Sequence, residues 1–218
     1  MQPTILFATT NGSKIRHFKL AWQALGLQEK FNLVTLKDLP KIELGHIAED
    51  SGTFGGDALL KARAYAEAYN LPTISQDRGF VFEALNWPGT LSKEVMFGDE
   101  KVIHTKQMWE EQREENYNRA VSVLTNLGGL ENRRIQIIQG LAISLPNGNF
   151  QTEEKISYGT ASQQVINGVG GSYDWFFIHD GLQITNSEFP SEEALDEYAA
   201  RNYYPITPKI LEFLNEIK

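Results

Sequence analysis

Residues 49–89 carry the densest set of side chains able to do chemistry. Glu49, Asp50 and Asp57 stand at the start of an apolar-periodic segment, Lys61 and Arg63 lie in its first turns, and Asp77 follows a short apolar run. Carboxylates presented from a strand end and a neighbouring loop suit a divalent cation such as Mg²⁺. That ion takes a few hard protein oxygens and completes its shell with water and phosphate oxygens. A lysine beside them would meet those phosphates as a compact positive charge. The same residues also fit a solvated acidic loop in which Asp57 is only a helix N-cap.

A second charged turn stands near the N-terminus. Residues 3–9 are a nearly continuous apolar run, the pattern of a buried strand, and Thr10-Asn11-Gly12-Ser13-Lys14 follows. Ile15, Phe18, Trp22 and Leu25 then recur at helical spacing until Gly26. Strand, polar turn and helix in that order gather backbone N–H groups and Lys14 at a helix start, where an anion is favoured. Asn11 and Ser13 also fit as cap and turn alone. The chain has no GxxxxGK[ST] phosphate loop and no Gly-x-Ser-x-Gly elbow. His17, His46, His104 and His179 show no metal-ligand spacing and read as surface or packing residues.

The remaining pattern supplies the elements that must position these groups. Residues 31–36 alternate as a strand, and residues 37–51 form a polar connection that could lie over a site. The segment 58–69 is helical, with Ala58, Ala62, Tyr65, Ala66 and Tyr69 on one face read as suited to close packing on a sheet, and is stopped by Leu71-Pro72. Residues 73–75 and 80–82 read as two short strands on either side of Gln76-Asp77-Arg78-Gly79. Residues 91–127 read as helix in two pieces. The runs 134–145 and 149–158 flank Pro146-Asn147-Gly148, a hairpin signal in which Asn-Gly takes positive φ angles. A glycine-rich stretch, 168–171, leads into the aromatic run 173–178, which reads as a core strand containing Asp174. Two helices close the chain, one from Ser191 to about Tyr198, the other with Ile206, Ile210, Leu211, Leu214 and Ile217 on one face.

Composition sets limits. With 218 residues, 41% hydrophobic and 22% charged, the chain matches an ordinary globular protein able to bury a large core. Its net charge of −8 opposes the coating of a nucleic acid polymer, which needs a basic surface. It leaves room for a small phosphate ligand in a locally positive pocket. No apolar run approaches the ~20 residues of a membrane span, and the start lacks the pattern of a secretory leader. There is no cysteine, so thiolate chemistry is excluded. A cytoplasmic location without a membrane partner is the expectation.

Taken in order, several segments resemble the inosine triphosphate pyrophosphatase family of non-canonical purine nucleoside triphosphate pyrophosphatases. Phe7-Ala8-Thr9-Thr10-Asn11-Gly12-Ser13-Lys14 is similar to the family's opening strand and Thr-x-Asn-x-x-Lys loop. Gly52-Thr53-Phe54 with Ala58-Leu59-Leu60-Lys61-Ala62 is similar to its Thr-Phe-x-Glu-Asn-Ala-x-x-Lys-Ala helix. Asp77, Gly79, Ala84-Leu85 and Pro88-Gly89 fall where the family has Asp-Asp-Ser-Gly, Ala-Leu and Pro-Gly. Tyr173-Asp174 and Phe177 match Gly-Phe-Gly-Tyr-Asp-Pro-x-Phe. The resemblance covers most of residues 1–218 as one nucleotide pyrophosphatase-like domain.

The resemblance implies an α/β fold: a mixed twisted β-sheet with flanking helices, in two lobes around a central cleft. It implies Mg²⁺-dependent hydrolysis of a nucleoside triphosphate to the monophosphate and pyrophosphate, by a homodimer. Carried over by position, Thr10, Asn11, Lys14 and Lys61 would hold phosphates, joined by Arg78. Glu49 and Asp77 would hold the metal, and Asp77 would orient and deprotonate the attacking water. Tyr173, Asp174, Trp175, Arg201 and Asn202 would form the base site. The chain departs from the pattern at Gln76 (an Asp in the family), Arg78 (a Ser), Gly56-Asp57 (Glu-Asn), Gly171-Ser172 (Phe-Gly) and Trp175 (a Pro). Arg201-Asn202-Tyr203 stands for the family's Ser-His-Arg. Loss of one acid leaves two further classes open: a binding module for a nucleotide or other phosphorylated ligand, or a hydrolase of another phosphorylated metabolite.

Overall fold

The computed structural model describes residues 2–97, 113–128 and 133–217. The chain divides into two compact units. The first comprises Met1–Arg78, Gln139–Lys155 and Ala200–Lys218, the second Gly79–Ile138 and Ile156–Ala199.

In the first unit, β1 (Thr4–Phe7) is followed by α1 (Gly12–Ala24), β2 (Asn32–Thr35), α2 (Phe54–Tyr69) and the opening of β3 (Thr73–Phe82). The end of β5 (Arg134–Ser144), the start of β6 (Phe150–Ala161) and α6 (Pro208–Asn215) complete it. The second unit holds the rest of these strands, with β4 (Trp87–Gly89), α3 (Ser92–Phe97), α4 (Arg113–Leu127), β7 (Phe177–His179) and most of α5 (Glu192–Asn202). Strand order is β2-β1-β3-β5-β6-β7, with β4 on β3. β1 pairs in parallel with β2 and β3, whereas β4 and β7 pair antiparallel to β3 and β6. The fold class is therefore the expected α/β with a mixed sheet. None of the described helices is long and apolar enough to cross a membrane.

The unbroken apolar run of β1 reflects cover on both faces, since Ile5, Leu6 and Phe7 are all fully buried. Ile5 and Phe7 join Leu141 and Ile143 of β5 in a cluster under Phe18 and Trp22 of α1 and Ile210 and Leu214 of α6. Ala142, on the opposite face of β5, packs on Ala58 and Ala62 of α2. The small residues of α2 let that helix lie close to the sheet. Gly140, on the same face as Ala142, takes this furthest: a Cβ there would lie 2.1 Å from the carbonyl carbon of Phe54. In the second unit an aromatic core joins Phe80, Phe82, Tyr173 and Phe176, with ring centroids 5.6–6.1 Å apart.

Several boundaries differ from the sequence expectation. Residues 73–75 and 80–82 are not two strands but the ends of one, β3. Its start pairs with β1 and its end with β4, and the strand runs unbroken through the polar Gln76-Asp77-Arg78 between them. Asp77 thus sits within a strand, not at its end. The α2 helix starts four residues early because Thr53 is the N-cap, its hydroxyl accepting from Gly56 N at 3.0 Å. Asp57 is not the cap. In the hairpin turn only Gly148 has positive φ (89°), while Asn147 uses its side chain to accept from Asn149 N at 3.0 Å. The aromatic run begins as a 3₁₀ turn, Ser172–Trp175, before β7. Of the helical stretch 91–127, α3 and α4 are observed, and residues 98–112 lie outside the described residues. The first closing helix extends beyond Tyr198 to Asn202.

Gly140→Ala should displace the start of α2 because the added methyl meets backbone, which cannot rotate aside. Overpacking of this kind costs about 1–3 kcal/mol. A fall in the urea midpoint of that size is expected, and an unchanged midpoint would show that α2 is not held against β5 at Gly140.

Candidate active site

The side chains of α1, α2, β3 and the loop before α2 meet at Asp77. Lys14 Nζ lies 3.3 Å from Asp77 Oδ1 and donates to the carbonyl of Gln76 at 3.1 Å. Lys61 Nζ lies 3.1 Å from the same Oδ1 and 3.3 Å from Glu49 Oε2. Lys14, Lys61 and Asp77 side chains are only 15–17% exposed, and Glu49 is 43% exposed at the rim. Each comes from a different element, and local structure explains each position.

Lys14 is placed by the α1 cap. Asn11 Oδ1 accepts from Lys14 N at 3.1 Å, and Thr9 Oγ1 accepts from Asn11 N at 3.2 Å. Asn11 is therefore a cap, and only its amide nitrogen remains to serve a phosphate. Thr10 is exposed in the same turn. Lys61 is placed by α2, whose start is fastened by Glu154 of β6 accepting from Gly55 N at 2.8 Å. That carboxylate fills the α2 N-terminus with an anion of the protein's own, leaving the start of α1 as the helix end beside the cluster. Glu49 is placed by a loop pinned at both ends. Tyr69 Oη donates to Pro40 O at 2.9 Å, and Asp57 Oδ1 accepts from Ser51 N at 3.0 Å. Asp57 is 2% exposed and holds the loop, and Asp50 is exposed.

Electrostatics follow from burial and pairing. Burial brings the Lys14 ammonium down to about 8, against the attraction of Asp77 and helped by repulsion from Lys61 and Arg78. Burial also opposes charge on Lys61, but Asp77 and Glu49 together outweigh it and hold that ammonium above its usual value. Burial would raise Asp77, yet Lys14 and Lys61 prevail and keep it ionised below the ordinary carboxylate range. Arg78 completes the charge pattern. Its Nη2 donates to Ser13 Oγ at 2.9 Å, its Nη1 lies 3.0 Å from His17 Nδ1, and its guanidinium lies 4.3 Å from the centroid of the Tyr204 ring. Three cations against two carboxylates make the cluster net positive, so it favours a polyanion.

The fit of a divalent cation is decided by the same geometry. Glu49 and Asp77 present oxygens to one shared cation position, now filled by the Lys61 ammonium. Among the described residues no three acidic or imidazole groups converge, and Gln76 is neutral. Two carboxylates suit an ion that arrives with phosphates completing its shell, as Mg²⁺ does, better than an all-protein cage.

The residues expected around a base lie elsewhere in the sequence. Tyr173 and Asp174 belong to the second unit. Asp174 accepts from Asn186 Nδ2 at 2.9 Å and from Gly171 N at 3.2 Å, so both of its oxygens brace the 170s loop. Trp175 is fully buried, its ring facing Tyr117 (6.0 Å) and Arg113 (5.2 Å). It is a core residue and offers no face to a ligand, contrary to the sequence expectation. Arg201 and Asn202 form the last turn of α5 in the first unit, with Arg201 exposed. Sequence reasoning missed Ser13, His17 and Tyr204. His17 was expected to be a surface or packing residue, and it is buried and bonded to Arg78. A single helix turn separates Ser13 from His17, which is the one signal that they share a face.

The description of the Ham1 family matches residues 5–197 of this chain. A dITP/XTP pyrophosphatase of Acholeplasma laidlawii is 27% identical over 214 residues, covering 96% of each chain. A dITP/XTP pyrophosphatase of Listeria monocytogenes is 30% identical over 196 residues, covering 87% of this chain and 85% of its own. The solved Staphylococcus aureus Ham1 protein has the same fold, with a TM-score of 0.71 at 23% identity over 99% of this chain and 100% of its own.

Because Lys14 is charged only below pH about 8, polyanion binding should be strongest below that value. Above it, binding must take up a proton, and affinity should fall by up to about tenfold per pH unit. Calorimetric titration with inorganic tripolyphosphate from pH 7 to 10 checks this. Lys14→Met should bind more weakly and lack the alkaline limb, and an identical limb in that variant would exclude Lys14 as its source.

Proposed function

The chain belongs to the Ham1 family, and from that membership we propose that it hydrolyses a nucleoside triphosphate to the monophosphate and pyrophosphate. The observation that carries this reading is the convergence of Lys14 and Lys61 on the Asp77 carboxylate, a net-positive group suited to a polyanion. The names of the relatives, dITP/XTP pyrophosphatases, put non-canonical purine triphosphates first among the substrates to try. The reading extends to a homodimer on the family resemblance alone, and to a cytoplasmic location on the sequence pattern alone.

In this reading the triphosphate displaces Asp77 from the two ammonium groups. Lys14 and Lys61 turn to phosphate oxygens and neutralise charge as it builds on the leaving pyrophosphate. Thr10 and Asn11 border the phosphate chain at the start of α1. Asp77, losing two positive neighbours, becomes more basic and accepts a hydrogen bond from the attacking water. The water oxygen bonds to the α-phosphorus, the bond from that phosphorus to the bridging oxygen breaks, and pyrophosphate departs with the electron pair. The water proton passes to Asp77. Mg²⁺ entering with the nucleotide would sit against Asp77 and Glu49 and supply further charge neutralisation. Tyr173 and Asp174 are the base-side groups of the proposal, with Arg201 and Asn202.

Asp77→Asn should lower turnover about 10²-fold or more, as loss of a general base does. Asp77 is not an exposed carboxylate, however: its neutralisation leaves Lys14 without its carboxylate and Lys61 with Glu49 alone, and breaking such a buried set costs about 3–5 kcal/mol. Circular dichroism and urea unfolding must therefore accompany the pyrophosphate-release assay. Folded Asp77→Asn with wild-type turnover would remove Asp77 from the chemistry. Tripolyphosphate binding by a wild-type protein without turnover on any nucleoside triphosphate would favour the binding-module alternative.

Free Mg²⁺ should bind weakly and gain affinity when nucleotide is present. Calorimetry with and without a non-hydrolysable triphosphate tests this, and tight binding to the free protein would show a ligand set other than Glu49 and Asp77.

A further inference from the structure

The first turn of α1 and the middle of β3 are clasped at three successive strand residues. Lys14 Nζ reaches the carbonyl of Gln76 and the carboxylate of Asp77, and Arg78 reaches back to Ser13 Oγ. The Arg78 contact is a fork. One terminal nitrogen donates to Ser13 and the other to His17, one helical turn further along α1. Arginine has no lone pair with which to accept, so His17 Nδ1 is the acceptor and its ring is neutral with the proton on Nε2. Tyr204 backs the fork: the guanidinium lies 4.3 Å from its ring centroid, and the His17 ring stacks on it at 5.1 Å and 26°. His17 and Tyr204 are 6% and 2% exposed, so the two rings behind the fork belong to the interior, while Arg78 and Ser13 are half-buried.

We propose that Arg78 is a positioning residue of the phosphate site: its fork fixes the first turn of α1 against β3 and so sets where Lys14 presents its ammonium. Resting on the phosphate-site reading above, this separates two roles for the cation beside Asp77. A phosphate ligand would act by charge and independently of Lys14. A positioning residue acts through Lys14 and depends on the planar fork. The two terminal nitrogens already bond to Ser13 and His17 on α1, which favours the second role. Lysine cannot replace such a fork, because a single ammonium cannot span both acceptors while lying flat on an aromatic ring.

The test is a double-mutant cycle in tripolyphosphate binding by calorimetry, without divalent cations, using wild type, Arg78→Lys, Arg78→Met, Lys14→Ala and the corresponding doubles. Arg78→Lys and Arg78→Met should each weaken binding about tenfold or more, as loss of charge-assisted hydrogen bonds does. In the Lys14→Ala background the same changes should cost almost nothing further. Full affinity in Arg78→Lys, or an undiminished loss in the Lys14→Ala background, would overturn the proposal in favour of a direct phosphate contact. If the Arg78 variants do not fold, Ser13→Ala removes one prong from the other side. It should weaken binding measurably in the wild-type background and not in Lys14→Ala, and no effect in either overturns the proposal. Failure of the underlying reading looks different, because Lys14→Ala would then bind tripolyphosphate as tightly as wild type.

Discussion

One carboxylate oxygen shared by two ammonium groups is the constraint on which this site depends. Asp77 Oδ1 lies 3.3 Å from Lys14 and 3.1 Å from Lys61, with each side chain less than one-fifth exposed. None of the three charges would be tolerated there alone, because a largely buried ion without a partner costs several kcal/mol. Together they are tolerated, and they lock α1, α2 and β3 into one arrangement. In the proposed reaction a phosphate oxygen takes the place of this carboxylate between the lysines, so that binding exchanges one anion for another and avoids desolvating bare ammonium groups.

The surrounding fold keeps that exchange local. Small residues on α2, and the absence of a side chain at Gly140, bring the helix that carries Lys61 down to the sheet. Glu154 neutralises the start of that helix, while the start of α1 is capped only by Asn11 and retains Lys14 nearby. The loop before α2 is fastened by Tyr69 and Asp57, so Glu49 reaches Lys61 from its 43%-exposed rim position. Structural acids and site acids are thus distinct: Asp57 and Glu154 hold backbone, whereas Asp77 and Glu49 face the lysines.

Where the chain departs from its family, the structure gives the departures different weights. Arg78 in place of a serine is absorbed into a built assembly with Ser13, His17 and Tyr204. Trp175 in place of a proline is absorbed into the core of the second unit. Gln76 in place of an acid removes a negative charge, and Asp57, committed to Ser51, does not replace it. The result is a cluster biased toward anions and poorer in metal ligands.

The sequence by itself determined the βα opening, the alternation of strands and helices, the hairpin, and the identity of Asn11, Lys14, Glu49, Lys61 and Asp77 as a set. These are legible because periodicity, turn chemistry and short motifs are local in the chain. It could not show that Gln76-Asp77-Arg78 continues a strand, because the strand is set by its neighbours β1, β5 and β4 in the sheet and not by an apolar pattern of its own. Nor could it show which acids are structural. Asp57 looks like a metal ligand or a cap until its oxygen is seen to hold Ser51 N, and the bracing of the 170s loop by Asp174, through Asn186 and Gly171, has no local signal in the chain. The Arg78 assembly lies furthest from the sequence. Ser13, His17, Arg78 and Tyr204 are separated by up to 191 positions, and only packing of α1, β3 and the segment before α6 brings a guanidinium, an imidazole and a phenol ring to one place.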